Sequence, residues 1–322
     1  MSKDIEHPLV SIIVITYNSS KYVLDTLESA KSQTYKNIEL VISDDCSTDN
    51  TVLMCSDWIS KNKSNFVETQ IISSTKNTGI SANCNRGLQS ANGKWMKFIA
   101  GDDVLLKNCI NDYIDYINLS SELIFALHAN MNVFNNTFNS DEFVGVNDYS
   151  TSLFNNFEIT AAQQYFLLLR NNFLYIGTPT FFVLKNILVD IGGYDEKMPF
   201  EDWPMFLAIV RSGVKIKYVD RITVNYRIHN ESVSNNYNVN KLLFNDFIIK
   251  DKVVYDKYRR NNITLVERLI EDFEYKRKFI FIKLGLNKVS FCNKVVNFIF
   301  SFSYSLLRKA TFKIVKCIYF DN

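Results

Sequence analysis

The amino-acid sequence predicts an α/β fold, with a sheet flanked by helices and a helical, basic extension at the C-terminal end. Three observations support this class. Apolar strand-like runs alternate with segments of helical periodicity through the first half, which is typical of parallel strands joined by helices. The chain has 322 residues and is 47% apolar, so a large core can form. Basic residues concentrate after residue 240, where the strand-like runs have ended.

The first half contains five predicted strands and four predicted helices. The strands are 9–16, 37–43, 69–73, 95–100 and 123–127, and the helices are 22–33, 48–61, 81–91 and 106–119. The strand runs are nearly continuously apolar, as expected for strands covered on both faces. The helices repeat apolar residues every three or four positions, as at Val23, Leu27 and Ala30.

The second half is less regular. We expect a loop from about 130 to 160, helices at 161–170 and 201–210, and a final strand pair at 215–226. After about 235 the pattern is helical to the end of the sequence. The prediction therefore divides a domain at 1–235 from an extension at 236–322.

The net charge of +2 conceals a difference between these two parts. Residues 240–322 carry 17 Lys and Arg against 8 Asp and Glu, a net of +9; this leaves 19 basic and 26 acidic residues, a net of −7, in 1–239. The basic part can face a membrane surface or a nucleic acid, but nothing besides charge favours nucleic acid. Six cysteines without a CxxC pair, and an N-terminus without an apolar signal segment, predict a cytoplasmic protein with reduced thiols.

Two acidic pairs follow predicted strands, Asp44-Asp45 after the second and Asp102-Asp103 after the fourth. Either pair alone is compatible with a solvated turn. Ligands of such sheets bind outside the carboxyl ends of the strands, so two pairs in this position favour a binding site. One or two carboxylates together with phosphate oxygens are the usual ligands of Mg²⁺ or Mn²⁺. The pattern therefore predicts a site for a divalent cation and a diphosphate.

Other common active-site motifs are absent from the sequence. No GxGxxG follows the first strand, no GxxxxGK[ST] is present, and no GxSxG occurs. The sequence therefore gives no support for a dinucleotide-binding protein, a P-loop nucleotide hydrolase or an α/β-hydrolase.

Four motifs together resemble the family 2 glycosyltransferases, an inverting class with the GT-A fold. They are "SIIVITYNSSKYVLDTLESAKSQTYKNIELVISDDCSTDNT", "NTGISANCNRGLQSANGKWMKFIAGDDVL", "GGYDE" with "FEDWPMFL", and "YRIHNESVS". The resemblance covers about 8–232. It implies a Rossmann-like mixed sheet, a nucleotide-sugar half at about 8–128, an acceptor half at about 129–235, and a nucleotide-diphosphate sugar as donor.

The resemblance also implies roles for residues on the donor side. Binding of the nucleotide sugar falls to Thr16, Tyr17, Asn18, Asp45, Arg86, Asp102 and Arg227, and binding of Mn²⁺ or Mg²⁺ to Asp103 and His229. Asp45 suits the uracil edge, because a carboxylate can accept a hydrogen bond from N3–H. Arg86 as a surface side chain and His229 as a structural histidine are the alternatives.

On the acceptor side, the resemblance makes Asp202 the general base and assigns Glu201 and Trp203 to acceptor binding. Inversion needs one carboxylate that takes a proton from the acceptor hydroxyl on the face opposite the leaving group. Since Asp202 begins a predicted helix, a helix cap is the alternative reading. Glu201 can position the acceptor or Asp202 itself.

The basic extension predicts a location at the cytoplasmic face of the inner membrane. Its apolar residues are interrupted by Asn293, Lys294 and Asn297, so an interfacial amphipathic segment is favoured over a spanning helix. A helical pair packed on the catalytic domain is the alternative. The second motif and "SDDCSTDNT" resemble bacterial O-antigen and capsule enzymes that extend undecaprenyl-diphosphate-linked sugars. This implies transfer of Glc or Gal from a UDP-sugar, in β-1,3 linkage, to lipid-linked GlcNAc or GalNAc, with UDP-GlcNAc as a rival donor.

Overall fold

A computed structural model describes residues 7–170, 176–230, 247–287 and 290–320. The chain forms two compact units, Met1–Arg227 and Ile228–Asn322. The boundary expected at 235 lies outside the described residues, and the two units are described separately.

The first unit begins with four parallel strands that alternate with helices. The strands are β1 (Val10–Thr16), β2 (Ile38–Asp44), β3 (Glu68–Ser73) and β4 (Trp95–Ala100); the helices are α1 (Val23–Lys31), α2 (Thr51–Asn62), α3 (Ile80–Ser90) and α4 (Cys109–Leu119). β1 lies between β2 and β4, and β3 pairs with β2. All residues of β2 and nearly all of β1 are buried, as their apolar sequences predict.

Five further strands extend the sheet, with antiparallel pairs among them. They are β5 (Val104–Leu105), β6 (Ala126–Asn135), β7 (Phe143–Asn147), β8 (Phe182–Leu184) and β9 (Ile216–Ile228), with helices α5 (Ala161–Arg170), α6 (Lys185–Asp190) and α7 (Asp202–Arg211). The strand order is β3-β2-β1-β4-β8-β6-β9-β5, and β7 pairs with β6. Because β8 is antiparallel to both β4 and β6, the sheet is mixed, which confirms the predicted fold class.

Two expectations for the second half were wrong. The segment expected as a loop contains the end of β6 and all of β7, and the expected strand pair at 215–226 is one continuous strand, β9. The asparagines that suggested a loop are bonded within the sheet: Asn130 donates to the Tyr218 hydroxyl (2.7 Å), and Asn132 donates to Asn225 (2.9 Å). Cross-strand side-chain bonds thus stabilise a sequence with weak strand propensity.

Aromatic rings fill the core where β4, β8 and α4 meet. Trp95 and Tyr113 lie on opposite sides of Phe182, with ring centroids 5.1 and 4.8 Å from it and interplanar angles of 4°. The buried Tyr113 hydroxyl also contacts the Thr223 hydroxyl at 3.1 Å. This packing fixes the start of β8 against the parallel strands.

The second unit is helical where it is described. Helix α8 (Phe247–Val254) leads into a π-helical turn, Tyr255–Arg259, and is followed by α9 (Leu265–Lys283) and α10 (Phe291–Phe320). A capping box between Thr264 and Glu267 starts α9. Across the described ranges, no helix combines the length and the apolar character needed to cross a bilayer.

Candidate active site

The ends of β1 and β2 are joined by hydroxyl and carboxylate groups. The buried Thr16 hydroxyl donates to Asp44 Oδ1 (2.8 Å), and the Asn18 amide oxygen accepts from the Thr48 N–H (2.8 Å). Asn18 has a φ of +50°, which the following turn requires. Tyr17 is half exposed, so its ring is the part of this segment that a ligand can reach.

Asp45 is buried and hydrogen-bonded on both carboxylate oxygens. It accepts from the Thr78 N–H and hydroxyl, from the Gly79 N–H (2.7 Å) and from the Arg86 guanidinium (2.6 Å). Burial alone would raise the pKa of Asp45, but the bonds from Thr78 and Arg86 outweigh it and leave the pKa below its usual value. Asp45 is therefore ionised near neutral pH and remains an acceptor.

Two buried polar atoms lack a partner within the described part of the chain: Nε of Arg86, whose guanidinium bonds Asp45, and the hydroxyl of Ser81. Most buried polar groups are hydrogen-bonded, so these two atoms are exceptions. Both side chains belong to α3, the helix that follows the Asp45 contacts.

Asp103 is buried at the end of β4, whereas Asp102 is partly exposed. Burial and the neighbouring Asp102 carboxylate raise the pKa of Asp103 well above its usual range. Thr26 donates to the Asp103 main-chain carbonyl at 2.7 Å, which fixes the turn against α1. A buried carboxylate repelled by its neighbour suits a cation, which would offset both effects.

Arg227 holds this turn from β9. Its main-chain N–H donates to Asp103 Oδ1 (2.9 Å), and its Nε donates to the Asp102 carbonyl (2.8 Å). The guanidinium pairs with Asp25 (2.8 Å) and lies over the Tyr22 ring (4.3 Å). Arg227 thus positions the acidic pair, and a contact between its guanidinium and a phosphate stays a prediction.

Asp202 begins α7, and Glu201 precedes it. The Asp202 carboxylate accepts from the Thr178 hydroxyl (2.7 Å) and from the Trp203 N–H (2.6 Å). Burial raises the pKa of Asp202 despite these bonds, and burial with the Asp202 charge raises the pKa of Glu201 to about 8. Burial and mutual repulsion thus oppose ionisation of both carboxyls at once, and the Asp202 charge holds the pKa of Glu201 up.

Comparison with known proteins decides the family. The model of Glycosyl transferase family 2 matches residues 11–170. A protein of Escherichia coli, "UDP-Glc:alpha-D-GlcNAc-diphosphoundecaprenol beta-1,3-glucosyltransferase WfaP", is 30% identical over 231 residues, which are 71% of this chain and 80% of that protein. The chain is a family 2 glycosyltransferase.

Other relatives of this glycosyltransferase match over shorter stretches or by fold. The putative teichuronic acid biosynthesis glycosyltransferase TuaG of Bacillus subtilis is 29% identical over 110 residues, 34% of this chain and 42% of that protein. The crystal structure of S. aureus TarS 1-349 in complex with UDP-GlcNAc has a TM-score of 0.58 and 21% identity over 88% of this chain and 77% of that one. This likeness shows the GT-A fold.

Within this glycosyltransferase, Trp203 lies in the core. It is 1% exposed, and its indole N–H donates to the Leu168 carbonyl (3.0 Å) on α5. The ring therefore packs α7 onto α5 instead of presenting a surface to an acceptor, and we correct its expected acceptor contact to a packing role.

His229 is buried and belongs to the second unit. In the described segments, no group of three or more His, Cys, Asp and Glu side chains forms a ready metal cluster. The Asp102-Asp103 pair nevertheless fits a hard cation, since Mg²⁺ is usually held by one or two carboxylates and substrate phosphates. The metal-binding roles of Asp103 and His229 stay predictions.

Three side chains of the site had no role in the sequence analysis. Thr78 anchors Asp45, and Thr178 donates to Asp202. Asn85 joins α3 to the "GGYDE" loop, since its amide oxygen accepts from the Tyr194 N–H (2.8 Å) and its amide nitrogen donates to Glu196 (2.8 Å). Thr78 and Asn85 lie inside the quoted motifs, whereas Thr178 has no local signal because its partner is distant in sequence.

Proposed function

We propose that this glycosyltransferase moves a hexose, Glc or Gal, from a UDP-sugar to a lipid-diphosphate-linked GlcNAc or GalNAc, in β-1,3 linkage. The product belongs to bacterial O-antigen or capsule synthesis. The observation that carries the proposal is the match to WfaP, whose name states the donor, acceptor and linkage and of which this chain covers 80%. UDP-GlcNAc is the competing donor.

The donor side supports a nucleotide diphosphate. Asp45 is ionised and held in place by Thr78 and Arg86, so an oxygen of its carboxylate can accept the N3–H of uracil. The exposed Tyr17 ring offers a face for the base, and the unpaired Nε of Arg86 is a further donor. Thr16 and Asn18 hold this segment, and Asp102 contacts the ribose or the sugar.

The catalytic step needs a base and an electrophile held in line. We assign the base to Asp202: its carboxylate takes the proton of the acceptor hydroxyl while that oxygen forms a bond to C1 of the sugar. The C1–O bond to the diphosphate breaks, and UDP leaves with the bonding electrons. Attack on the face opposite the leaving group inverts the anomeric centre. Glu201 borders the acceptor beside Asp202.

Asp103, with His229, would hold Mn²⁺ or Mg²⁺ in this proposal. Bound there, the cation would neutralise charge on the diphosphate leaving group. The buried position and raised pKa of Asp103 support this role, because a carboxylate of this kind is stabilised by a nearby positive charge.

The second unit supports a membrane surface as a partner. Helix α10 contacts α9 through polar groups: Tyr304 donates to Glu271 (2.9 Å), and Arg277 donates to Asn297 (2.7 Å). Its exposed side carries large apolar residues, namely Val295, Val296, Phe298, Ile299, Phe302, Leu306, Leu307, Ile314 and Ile318.

This arrangement reverses the usual pattern, in which the apolar side of a helix faces the protein. Residues 290–320 also contain five basic residues and no acidic one. An exposed apolar face beside basic residues suits the interface of an anionic bilayer. We therefore place the enzyme at the cytoplasmic face of the inner membrane, where a lipid-linked acceptor is held.

A donor and acceptor screen tests the proposal. Purified full-length protein is incubated with Mn²⁺ or Mg²⁺, with UDP-Glc, UDP-Gal or UDP-GlcNAc, and with synthetic lipid-diphosphate GlcNAc or GalNAc; product linkage is then determined. We expect a β-1,3-linked hexose. Transfer of GlcNAc would establish the competing donor. If the protein binds UDP but shows neither sugar transfer nor metal-dependent hydrolysis of the donor, it is a non-catalytic binding protein, and the proposal is overturned.

A further inference from the structure

The segment between α5 and β8 includes the 3₁₀ turn Thr178–Thr180, and buried side chains hold it. The Lys97 ammonium group donates to the carbonyl oxygens of Pro179 and Phe181. The Tyr113 hydroxyl donates to the Thr180 carbonyl, and the Thr180 hydroxyl donates to the Ala129 carbonyl (3.0 Å). Main-chain carbonyls therefore tie the turn to β4 and α4, and the Thr180 hydroxyl ties it to β6.

Lys97 is an unusual residue for this position. It lies on β4 with no exposed surface, and burial lowers the pKa of its ammonium group to about 8. An apolar side chain would fill the core without the cost of removing a charge from water. Lys97 adds a donor directed at the turn, and its charge also interacts with Asp103. The donor points to a requirement on the geometry of that turn.

The turn presents Thr178 to the proposed base. The Thr178 hydroxyl donates to Oδ2 of Asp202 at 2.7 Å, while the Trp203 N–H donates to Oδ1 at 2.6 Å. One bond to each oxygen fixes the plane of the carboxylate and leaves other lone pairs of Asp202 for an acceptor hydroxyl. Of these two bonds, the Thr178 bond comes from outside α7.

We propose that Thr178 is a positioning residue for Asp202, and that Lys97 sets the position of Thr178 from within the core. The inference rests on the proposed role of Asp202 as general base. It goes beyond that role by assigning the orientation of the base to the turn at Thr178–Thr180, which belongs neither to the acidic motif nor to α7.

The groups around Asp202 define what the Thr178 bond does. Glu201 precedes Asp202, and Cys84 on α3 and Tyr194 in the "GGYDE" loop interact electrostatically with both carboxyls. Burial favours the protonated acid, whereas the Thr178 hydrogen bond favours the carboxylate. Loss of this bond removes a stabilising contact to the charged form, so the base protonates at higher pH.

Thr178→Val and Thr178→Ser form the matched test pair. Valine keeps the shape and removes the donor, whereas serine keeps the donor. With UDP-Glc and synthetic lipid-diphosphate GlcNAc, we expect the acid limb of kcat/KM for Thr178→Val to move up by about one pH unit. At a pH below the acid limbs of both proteins this is a loss of about 10-fold, with the KM for UDP-Glc within about twofold of the parent value. Thr178→Ser should retain the parent profile.

Lys97→Met tests the origin of the effect. We expect kcat to fall about 10-fold with little change in the KM for UDP-Glc, because the turn loses the donor to Pro179 and Phe181. Lys97→Met with Thr178→Val should be no slower than the slower single variant, because both act through one hydrogen bond. If Lys97→Met does not fold, the Thr178 pair decides the proposal.

Asp202→Asn distinguishes the general-base role of Asp202 from the positioning role of Thr178. If Asp202→Asn turns over at nearly the parent rate, the general-base assignment fails, and this inference fails with it. If Asp202→Asn is inactive but Thr178→Val keeps the parent pH profile and kcat, the positioning role alone is overturned. An equal loss of kcat in Thr178→Val at every pH, matched by Thr178→Ser, would also overturn it.

Discussion

At the scale of single residues, the site contrasts three carboxylates that differ in their surroundings. Asp45 has four donors and a lowered pKa, whereas burial raises the pKa of Asp103 and Asp202. These differences suit the three roles proposed above: accepting a hydrogen bond from uracil, binding a cation, and taking a proton from the acceptor. The surroundings set these differences, since each group has the same pKa in water.

Asp103→Ala and Asp202→Asn should each lower transfer about 100-fold or more and leave the fold intact. The first removes a cation ligand, and the second removes a general base, a role that contributes about 100-fold or more. Turnover with lipid-linked acceptor, together with thermal unfolding, measures both effects. Asp57→Asn is the control, because Asp57 is exposed on α2. Near-normal turnover in either site variant would contradict its assignment.

The pH dependence follows from the environment of Asp202. A general base must be ionised, and burial raises the pKa of Asp202, so kcat/KM should fall as pH drops through that raised pKa. The acid limb should therefore lie above the usual aspartate pKa of about 4. Glu201→Gln should barely move it, because a Glu201 with a pKa of about 8 is already neutral in this range. An acid limb at about pH 4 would contradict this prediction, because that is the pKa of a solvated aspartate.

At the scale of elements, α3 connects the two halves of the site. Its Arg86 bonds Asp45, and its Asn85 bonds the loop that leads to Asp202. The loop approaches Asn85 closely at Gly193, which has a φ of +75°. A Cβ at Gly193 would lie 2.5 Å from Asn85 Oδ1. The double glycine of "GGYDE" therefore permits this contact.

Gly193→Ala should destabilise the protein by about 1–3 kcal/mol, because it adds backbone strain and a clash. Gly213→Ala is the matched control: its φ is +90°, but among the described residues nothing beyond its chain neighbours lies within 4 Å of the added Cβ. Denaturant unfolding gives the loss of unfolding free energy in each variant. The difference between the two losses measures the effect of the clash with Asn85. Equal free energies of unfolding for the two variants would show that this contact does not matter.

At the scale of the whole molecule, charge and apolar surface are divided between the two units. Most acidic residues and the proposed base Asp202 lie in Met1–Arg227, whereas Ile228–Asn322 contains His229 and the basic, apolar α10. This division suits an enzyme that meets a charged, water-soluble donor and a lipid-linked acceptor. The membrane proposal depends on the exposed side of α10 and on its lysines together.

Replacement of Phe298, Phe302 and Leu306 by Ser should lower binding to vesicles containing anionic phosphatidylglycerol at least about 10-fold. Binding of the parent protein should also weaken with added salt, because the lysines contribute through screened attraction. Vesicle sedimentation measures both. Leu119→Ser is the control, since Leu119 is 87% exposed but lies on α4 in the first unit. Equal binding by the triple variant and the parent would rule out this face.

The sequence by itself determined the strand–helix alternation, the acidic pairs at strand ends and the family, because these depend on local periodicity and on residues close together in the chain. Only the tertiary structure revealed that β6 and β9 are long strands, that Trp203 is a core residue, and that Lys97, Thr178 and Asp202 form one connected group. These features depend on contacts between residues far apart in sequence. A strand rich in asparagine is stabilised by its neighbours, and a hydroxyl acquires its role from the carboxylate that folding places beside it.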